Sequence, residues 1–172
     1  MTPEDTIIEL ANSLKGILVI DEAYVDFADF NCLDLVGKIE NVIILRSFSK
    51  SFSLAGARVG LAFADEKIIE GMTKVKDSYN IGRLPVAAGV AALENIDYFK
   101  ENIERIKATR KRLSKALEEM GFEVLPSQAN FLMARHKNAE EIYTKLKERK
   151  ILIRYFPREE LKASVRITVG SD

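Results

Sequence analysis

Val42-Ile43-Ile44-Leu45-Arg46-Ser47-Phe48-Ser49-Lys50-Ser51-Phe52-Ser53-Leu54-Ala55-Gly56-Ala57-Arg58-Val59-Gly60 is the stretch that decides the fold class. Four consecutive apolar residues read as a short strand, and the hydroxyl-rich run behind them as a loop at its carboxyl end. Upstream, Ile17-Leu18-Val19-Ile20 repeats the theme and ends on Asp21-Glu22-Ala23-Tyr24; a continuous run of this kind is the mark of a strand covered on both faces. Downstream, Val59-Gly60-Leu61-Ala62-Phe63-Ala64 is a third strand candidate. Thr2-Pro3-Glu4-Asp5 reads as a helix start, with a Thr cap, Pro in the first turn and acids near the positive dipole end. Ile7, Ile8, Leu10, Ala11 and Leu14 then give an amphipathic helix that Lys15-Gly16 stops. Further helices are expected at about 66–77 and 84–94. Helices alternating with strands in this way predict an α/β sheet. Ligands of such open sheets collect beyond the carboxyl ends of strands, and Asp21 and Lys50 both lie just past one.

The remainder reads as a smaller α+β region, with a boundary near residues 95–98. A long helix is expected from about Tyr98 to Met120, its charges Lys100, Glu101, Glu104, Arg105, Lys107, Arg110, Lys111 and Arg112 forming a solvated face, with Gly121 as its stop. Strands are expected at 122–125, 130–134, 151–154 and 164–169, and a helix at 139–149. The sequence contains no repeats and no Gly/Ser linker.

Acidic and basic residues balance at 26 each among 172 residues, which speaks against a nucleic-acid partner. No apolar run approaches the roughly 20 residues that span a bilayer, and the amino-terminal residues lack the basic and apolar stretches of a signal peptide. A soluble, cytoplasmic protein is the expectation. The single cysteine, Cys32, excludes an intramolecular disulfide and reads as a small buried hydrophobe. With one histidine, His136, which reads as a solvated loop residue, no metal site is expected.

The chemistry concentrates in two segments. A lysine used as an amine nucleophile must spend time unprotonated, and a neighbouring cation or a partly dehydrated pocket lowers its pKa. Around Lys50, the serine hydroxyls and Arg58 are the donors a phosphate monoester requires, with the guanidinium offering a planar fork. In the other segment, an aspartate at a strand end such as Asp21 is suited to bind metal, act as a base, or hold a protonated ring nitrogen, and Tyr24 to donate a hydrogen bond. A serine-rich loop with a solvated lysine, a capping aspartate and a packed tyrosine are the bland alternatives.

Asp-Glu-Ala-Tyr after an apolar strand, followed by Ser-Phe-Ser-Lys-Ser-Phe-Ser-Leu-Ala-Gly-Ala-Arg-Val-Gly, resembles the signature of class II pyridoxal-phosphate aminotransferases, and among them the histidinol-phosphate aminotransferases. The resemblance continues through Asp77-Ser78-Tyr79-Asn80, Gln128-Ala129-Asn130-Phe131 and Val165-Arg166-Ile167-Thr168-Val169-Gly170, so it covers nearly the whole chain. It implies a fold-type I architecture: residues 1–96 as the second half of the large cofactor-binding domain, with a mixed, mostly parallel sheet, and 97–172 as the small carboxy-terminal domain. It implies pyridoxal 5'-phosphate as cofactor, Lys50 as the Schiff-base lysine and proton shuttle, Asp21 as the pyridine-nitrogen partner and Tyr24 as the donor to the phenolic oxygen. Ser47, Ser49 and Arg58 would hold the cofactor phosphate, and Arg154 and Arg166 the substrate. The implied reaction is transamination between histidinol phosphate and 2-oxoglutarate in histidine biosynthesis, by a cytoplasmic homodimer.

Complete members of that family run to about twice this length, and the Asn-Pro-x-x-Pro-Thr-Gly motif, whose asparagine reaches the cofactor, is not in this sequence. The chain is therefore expected to be a piece of a longer protein, binding cofactor weakly and transaminating poorly by itself. Two other readings stand beside the transaminase: a decarboxylase resembling threonine-phosphate decarboxylase, which shares the lysine motif, and a non-catalytic remnant.

Overall fold

The alternation that side chains follow along a strand sets up the first unit of the molecule. The computed structural model describes residues 2–171; Met1 and Asp172, at the ends of the terminal segments read above, lie outside them. The chain divides after Phe99 into two compact units, each with its own sheet and core.

In the first unit, β1 (Leu18–Asp21), β2 (Val42–Ser47) and β3 (Gly60–Ala64) form one sheet in that order. β1 pairs with β2 in parallel and β2 with β3 antiparallel, so the sheet is mixed. β2 is the central strand: Val42 and Ile44 are fully buried. Its even-numbered face joins Ile7 and Ala11 of α1 (Glu4–Ser13), Cys32 and Leu35 in one cluster, with Leu18 and Ile20 packed against it. The expectation that β1 is covered on both faces fails. Its residues alternate, and Val19 is 52% exposed while Leu18 and Ile20 are half-buried. A continuous apolar run cannot tell an edge strand from a central one, and here β1 is at the edge.

One further expectation needs correcting in this unit. Pro3, not Thr2, occupies the cap of α1, and no side chain caps it; Glu4 and Asp5 in the first turn face the dipole instead. The stretch between β1 and β2 carries short 3-10 turns at Val25–Phe27 and Leu33–Leu35 that bury Phe27 and Leu35. After β3 come α2 (Glu66–Val75), capped by Asp65 accepting from Lys67 N–H, and α3 (Arg83–Glu94). α3 sets Gly89 against the loop after β2: a Cβ there would lie 3.9 Å from both Phe48 and Val59.

The long helix α4 spans Ile96–Glu119, starting two residues before its expected place. Gly121, at φ +87°, makes the turn that ends it. The second unit's sheet has the order β4-β5-β7-β6 and is antiparallel throughout: β4 (Glu123–Val124), β5 (Phe131–Arg135), β6 (Arg154–Tyr155) and β7 (Ser164–Thr168). The strand expected at 151–154 is thus shifted and reduced to two residues. α5 (Ala139–Glu148) lies between β5 and β6 in the chain. Leu117, Leu132, Ala134, Ala139, Val165 and Val169 are the core of this unit. His136, expected in solvent, is half-buried, with its ring 4.9 Å from that of Phe122 and Nδ1 accepting the Asn138 N–H at 3.1 Å.

Ile44→Ala removes a fully buried side chain from the central strand, and a loss of about 2–5 kcal/mol is expected. Val19→Ala, on the open face of the edge strand, should cost no more than about 1 kcal/mol. Urea unfolding of the two variants checks the contrast; equal losses would mean that β1 is covered as deeply as β2.

Candidate functional site

The parallel register of β1 and β2 is what gathers the site residues. Asp21 pairs with Leu45, and β2 runs on to Ser47, so the two carboxyl ends lie at one end of the sheet. β3 runs the other way and begins there too, with Gly60 opposite Ser47. Asp21, Tyr24, Ser47, Ser49, Lys50 and Arg58 therefore share this end. A Cβ at Gly60 would meet the Arg46 carbonyl oxygen at 3.2 Å, a tight approach that glycine avoids.

The amine of Lys50 stands 5.5 Å from the centre of the Tyr24 ring, and the lysine is exposed. Its loop is held at both shoulders. Ser47 Oγ accepts the Ser49 N–H at 3.1 Å, which leaves the Ser47 hydroxyl proton available to a ligand. Phe48 is buried; its N–H donates to Val59 O at 3.2 Å and its carbonyl accepts from Leu54 N–H at 3.0 Å. Ser53 and Arg58 take left-handed backbone conformations, φ 54° and 56°, which cost a residue with a Cβ about 1 kcal/mol or more. Arg58 bends back so that its guanidinium donates to Ala55 O at 3.2 Å; the structure does not bring it into hydrogen bonds with Ser47 or Ser49. Asp21 Oδ1 accepts the Ala23 N–H at 2.9 Å, and its other oxygen accepts nothing among the described residues.

Three residues with parts in this architecture were given no role from the sequence. Glu22 is 8% exposed, and its carboxylate accepts the Cys32 N–H at 2.6 Å and Arg46 Nε at 2.9 Å. Arg46 in turn donates to Asn31 Oδ1 at 2.9 Å. Asp26 accepts a short hydrogen bond from the hydroxyl of Ser51. A signal existed for Glu22: the period of two that turns Asp21 outward carries Glu22 to the inward face of Leu18 and Ile20. No local pattern links Asp26 to Ser51 across 25 residues. Cys32 is buried as expected; burial, and after it the Glu22 charge, pushes its thiol pKa up, so it is not a poised nucleophile.

In the second unit, Arg154 and Arg166 are direct cross-strand partners of the β6–β7 ladder, so both side chains leave the same face of the sheet. Like charges set opposite each other destabilise a sheet. Arg166 lies over the Phe131 ring at 5.4 Å and Arg154 over Phe156 at 5.6 Å. The Nε of Arg166 is buried without a hydrogen-bond partner. Two guanidinium groups on one face, one with an unpartnered Nε, have the donor chemistry to accept an anion. Among the described residues there is no group of His, Cys, Asp and Glu able to hold a metal ion, and no helix long and apolar enough to cross a membrane.

Residues 3–172 match the family model of aminotransferases of class I and II. A histidinol-phosphate aminotransferase of Trichormus variabilis is 47% identical over the whole chain, which covers 50% of that protein. The crystal structure of histidinol-phosphate aminotransferase from Sinorhizobium meliloti in complex with pyridoxal-5'-phosphate is similar over 99% of the chain and 49% of its own, with 30% identity and a TM-score of 0.89. L-threonine-O-3-phosphate decarboxylase from Porphyromonas gingivalis has the same fold, with a TM-score of 0.83 at 24% identity over 98% of the chain and 55% of its own. The chain spans about half the length of the curated relatives it matches.

Glu22→Ala strands the Cys32 amide and the Arg46 guanidinium, and a loss of about 3 kcal/mol is expected. A shift in the urea midpoint measures it; a variant as stable as the parent would show that the pair is not needed to hold the turn after β1.

Proposed function

The chain belongs to the aminotransferase family of classes I and II, and on that premise we propose that it carries the lysine-bearing part of a pyridoxal-phosphate-dependent transaminase. The reaction moves the amino group of histidinol phosphate to 2-oxoglutarate, giving imidazole-acetol phosphate and glutamate, a step of histidine biosynthesis. The observation that carries the reading is the Lys50 amine above the Tyr24 ring, at the sheet end where Asp21 keeps a free carboxylate oxygen. Relatives named histidinol-phosphate aminotransferase, 44–48% identical, support the choice of substrate. The likeness to threonine-phosphate decarboxylase is one of fold, and no observation on this chain favours that chemistry. We read residues 1–96 as part of the cofactor-binding domain and 97–172 as the smaller domain of a cytoplasmic homodimer.

The donor set fits pyridoxal 5'-phosphate: an amine, a carboxylate, a phenol, and hydroxyls with a guanidinium. When bound, that cofactor supplies an aldehyde for amines and a protonated ring that accepts the electron pair freed as the substrate's α C–H bond breaks. Lys50 Nζ would hold the cofactor through its aldehyde, and as a free amine would take the substrate's α-proton and return it. Asp21 would keep the ring nitrogen protonated by its charge. Tyr24 would donate to the phenolic oxygen. Ser47 and Ser49 would donate to the phosphate, and Arg58, which here donates to Ala55 O, would offer its guanidinium to the phosphate oxygens. Arg154 and Arg166 would hold the substrate's phosphate or the carboxylate of glutamate.

In a full-length background, Lys50→Ala is expected to abolish covalent capture of the cofactor. After borohydride reduction and digestion, the pyridoxyl mass should sit on the Lys50 peptide of the parent and be missing from the variant; its appearance on another lysine would overturn the assignment.

Arg166→Lys is expected to raise the substrate KM by about tenfold or more, the equivalent of one charge-assisted hydrogen bond, with cofactor affinity near that of the parent. Lysine keeps the charge but not the planar two-point grip. Steady-state kinetics with histidinol phosphate in a full-length background, alongside thermal unfolding, decide it: lost stability with an unchanged KM would make Arg166 a structural residue.

A further inference from the structure

The position of the Lys50 side chain relative to Tyr24 rests on two segments that are distant in sequence. Tyr24 begins a 3-10 turn, Val25–Phe27, whose last residue is fully buried and whose Val25 N–H donates to Glu22 O at 3.0 Å. That turn is thus fixed to the core by Phe27 and Glu22. Lys50 sits on the loop after β2, which Phe48 and the Ser49–Ser47 bond fix on the amino-terminal side. On the carboxyl side, the next residue is Ser51. Its side chain is 5% exposed, whereas Lys50 beside it is exposed. The hydroxyl of Ser51 donates to the carboxylate of Asp26, a residue of the Tyr24 turn. A hydroxyl-to-carboxylate bond is among the short, strong kinds, and this one joins the two loops one residue after Lys50 and two after Tyr24.

We infer that Asp26 and Ser51 are positioning residues for the Lys50 amine: their hydrogen bond sets where the lysine backbone lies relative to the Tyr24 turn, while the side chain stays free to move. Neither touches the reacting atoms. The inference rests on Lys50 being the cofactor's amine. A reacting group displaced by about 1 Å loses on the order of a hundredfold in rate, so a cross-link beside it acts on rate before it acts on stability. Serine to alanine at residue 51 removes one oxygen and leaves the loop's other bonds in place.

The test compares S51A, D26A, the D26A/S51A double variant and S51T with the parent. Each substitution is made in a full-length background; the protein is mixed with pyridoxal 5'-phosphate, quenched with borohydride at intervals, and the pyridoxyl mass on the Lys50 peptide is followed across pH, with the thermal midpoint measured on the same samples. The expected result is a capture rate about tenfold or more lower in S51A and D26A, a double variant no slower than the slower single one, since both break one bond, and recovery in S51T, which restores the hydroxyl. Capture at the parent rate in both single variants overturns the inference, whatever the thermal midpoint does; so does simple additivity in the double variant. If the parent itself places no pyridoxyl on Lys50, the proposed function fails instead. Amide hydrogen exchange without cofactor then decides the cross-link: residues 23–28 and 49–54 should both lose protection in S51A and D26A and regain it in S51T, and unchanged protection overturns it.

Discussion

Glu22 is the residue on which the first unit depends. Its carboxylate faces inward at the end of an edge strand, takes the amide of Cys32 and the guanidinium of Arg46, and so joins β1, the turn after it and β2. A carboxylate buried this far is costly unless charge and hydrogen bonds compensate it, and here both do. Everything at that end of the sheet follows from the pairing it secures: Asp21 faces out, Tyr24 is carried on the next turn, and Arg46 leads into Ser47 and the lysine loop.

The loop after β2 presents an exposed amine on a buried base. Phe48 and Ser51 are buried and Lys50, one residue from Ser51 and two from Phe48, is exposed. Left-handed residues at Ser53 and Arg58 store strain that the surrounding bonds hold in place.

Much of this was legible in the sequence, for a stated reason. Apolar runs ending in polar residues located β1, β2 and β3, because strand ends are where the chain passes from core to solvent. The lysine, aspartate, tyrosine and serine residues were nominated from their chemistry and the resemblance, and the strand register puts them at one end of the sheet. What escaped was long-range. A run such as Ile17–Ile20 is apolar on both faces whether or not a neighbour covers it, so the exposure of Val19 was hidden. Asp26 and Ser51 meet through tertiary folding alone, and His136 was assigned to solvent from its charged neighbours when its ring packs on Phe122.

The two arginines of the second unit extend the same logic. Arg154 and Arg166 could be nominated from the sequence one at a time, but their meaning lies in the register, which no local pattern specifies. Opposed on one face of the β6–β7 ladder, they repel each other. Aromatic rings beneath each guanidinium recover part of that cost, yet the buried Nε of Arg166 still lacks an acceptor. A sheet needing only stability would place an acid at one of these positions. Two cations on one face with a donor unspent form an arrangement whose balance closes when an anion arrives.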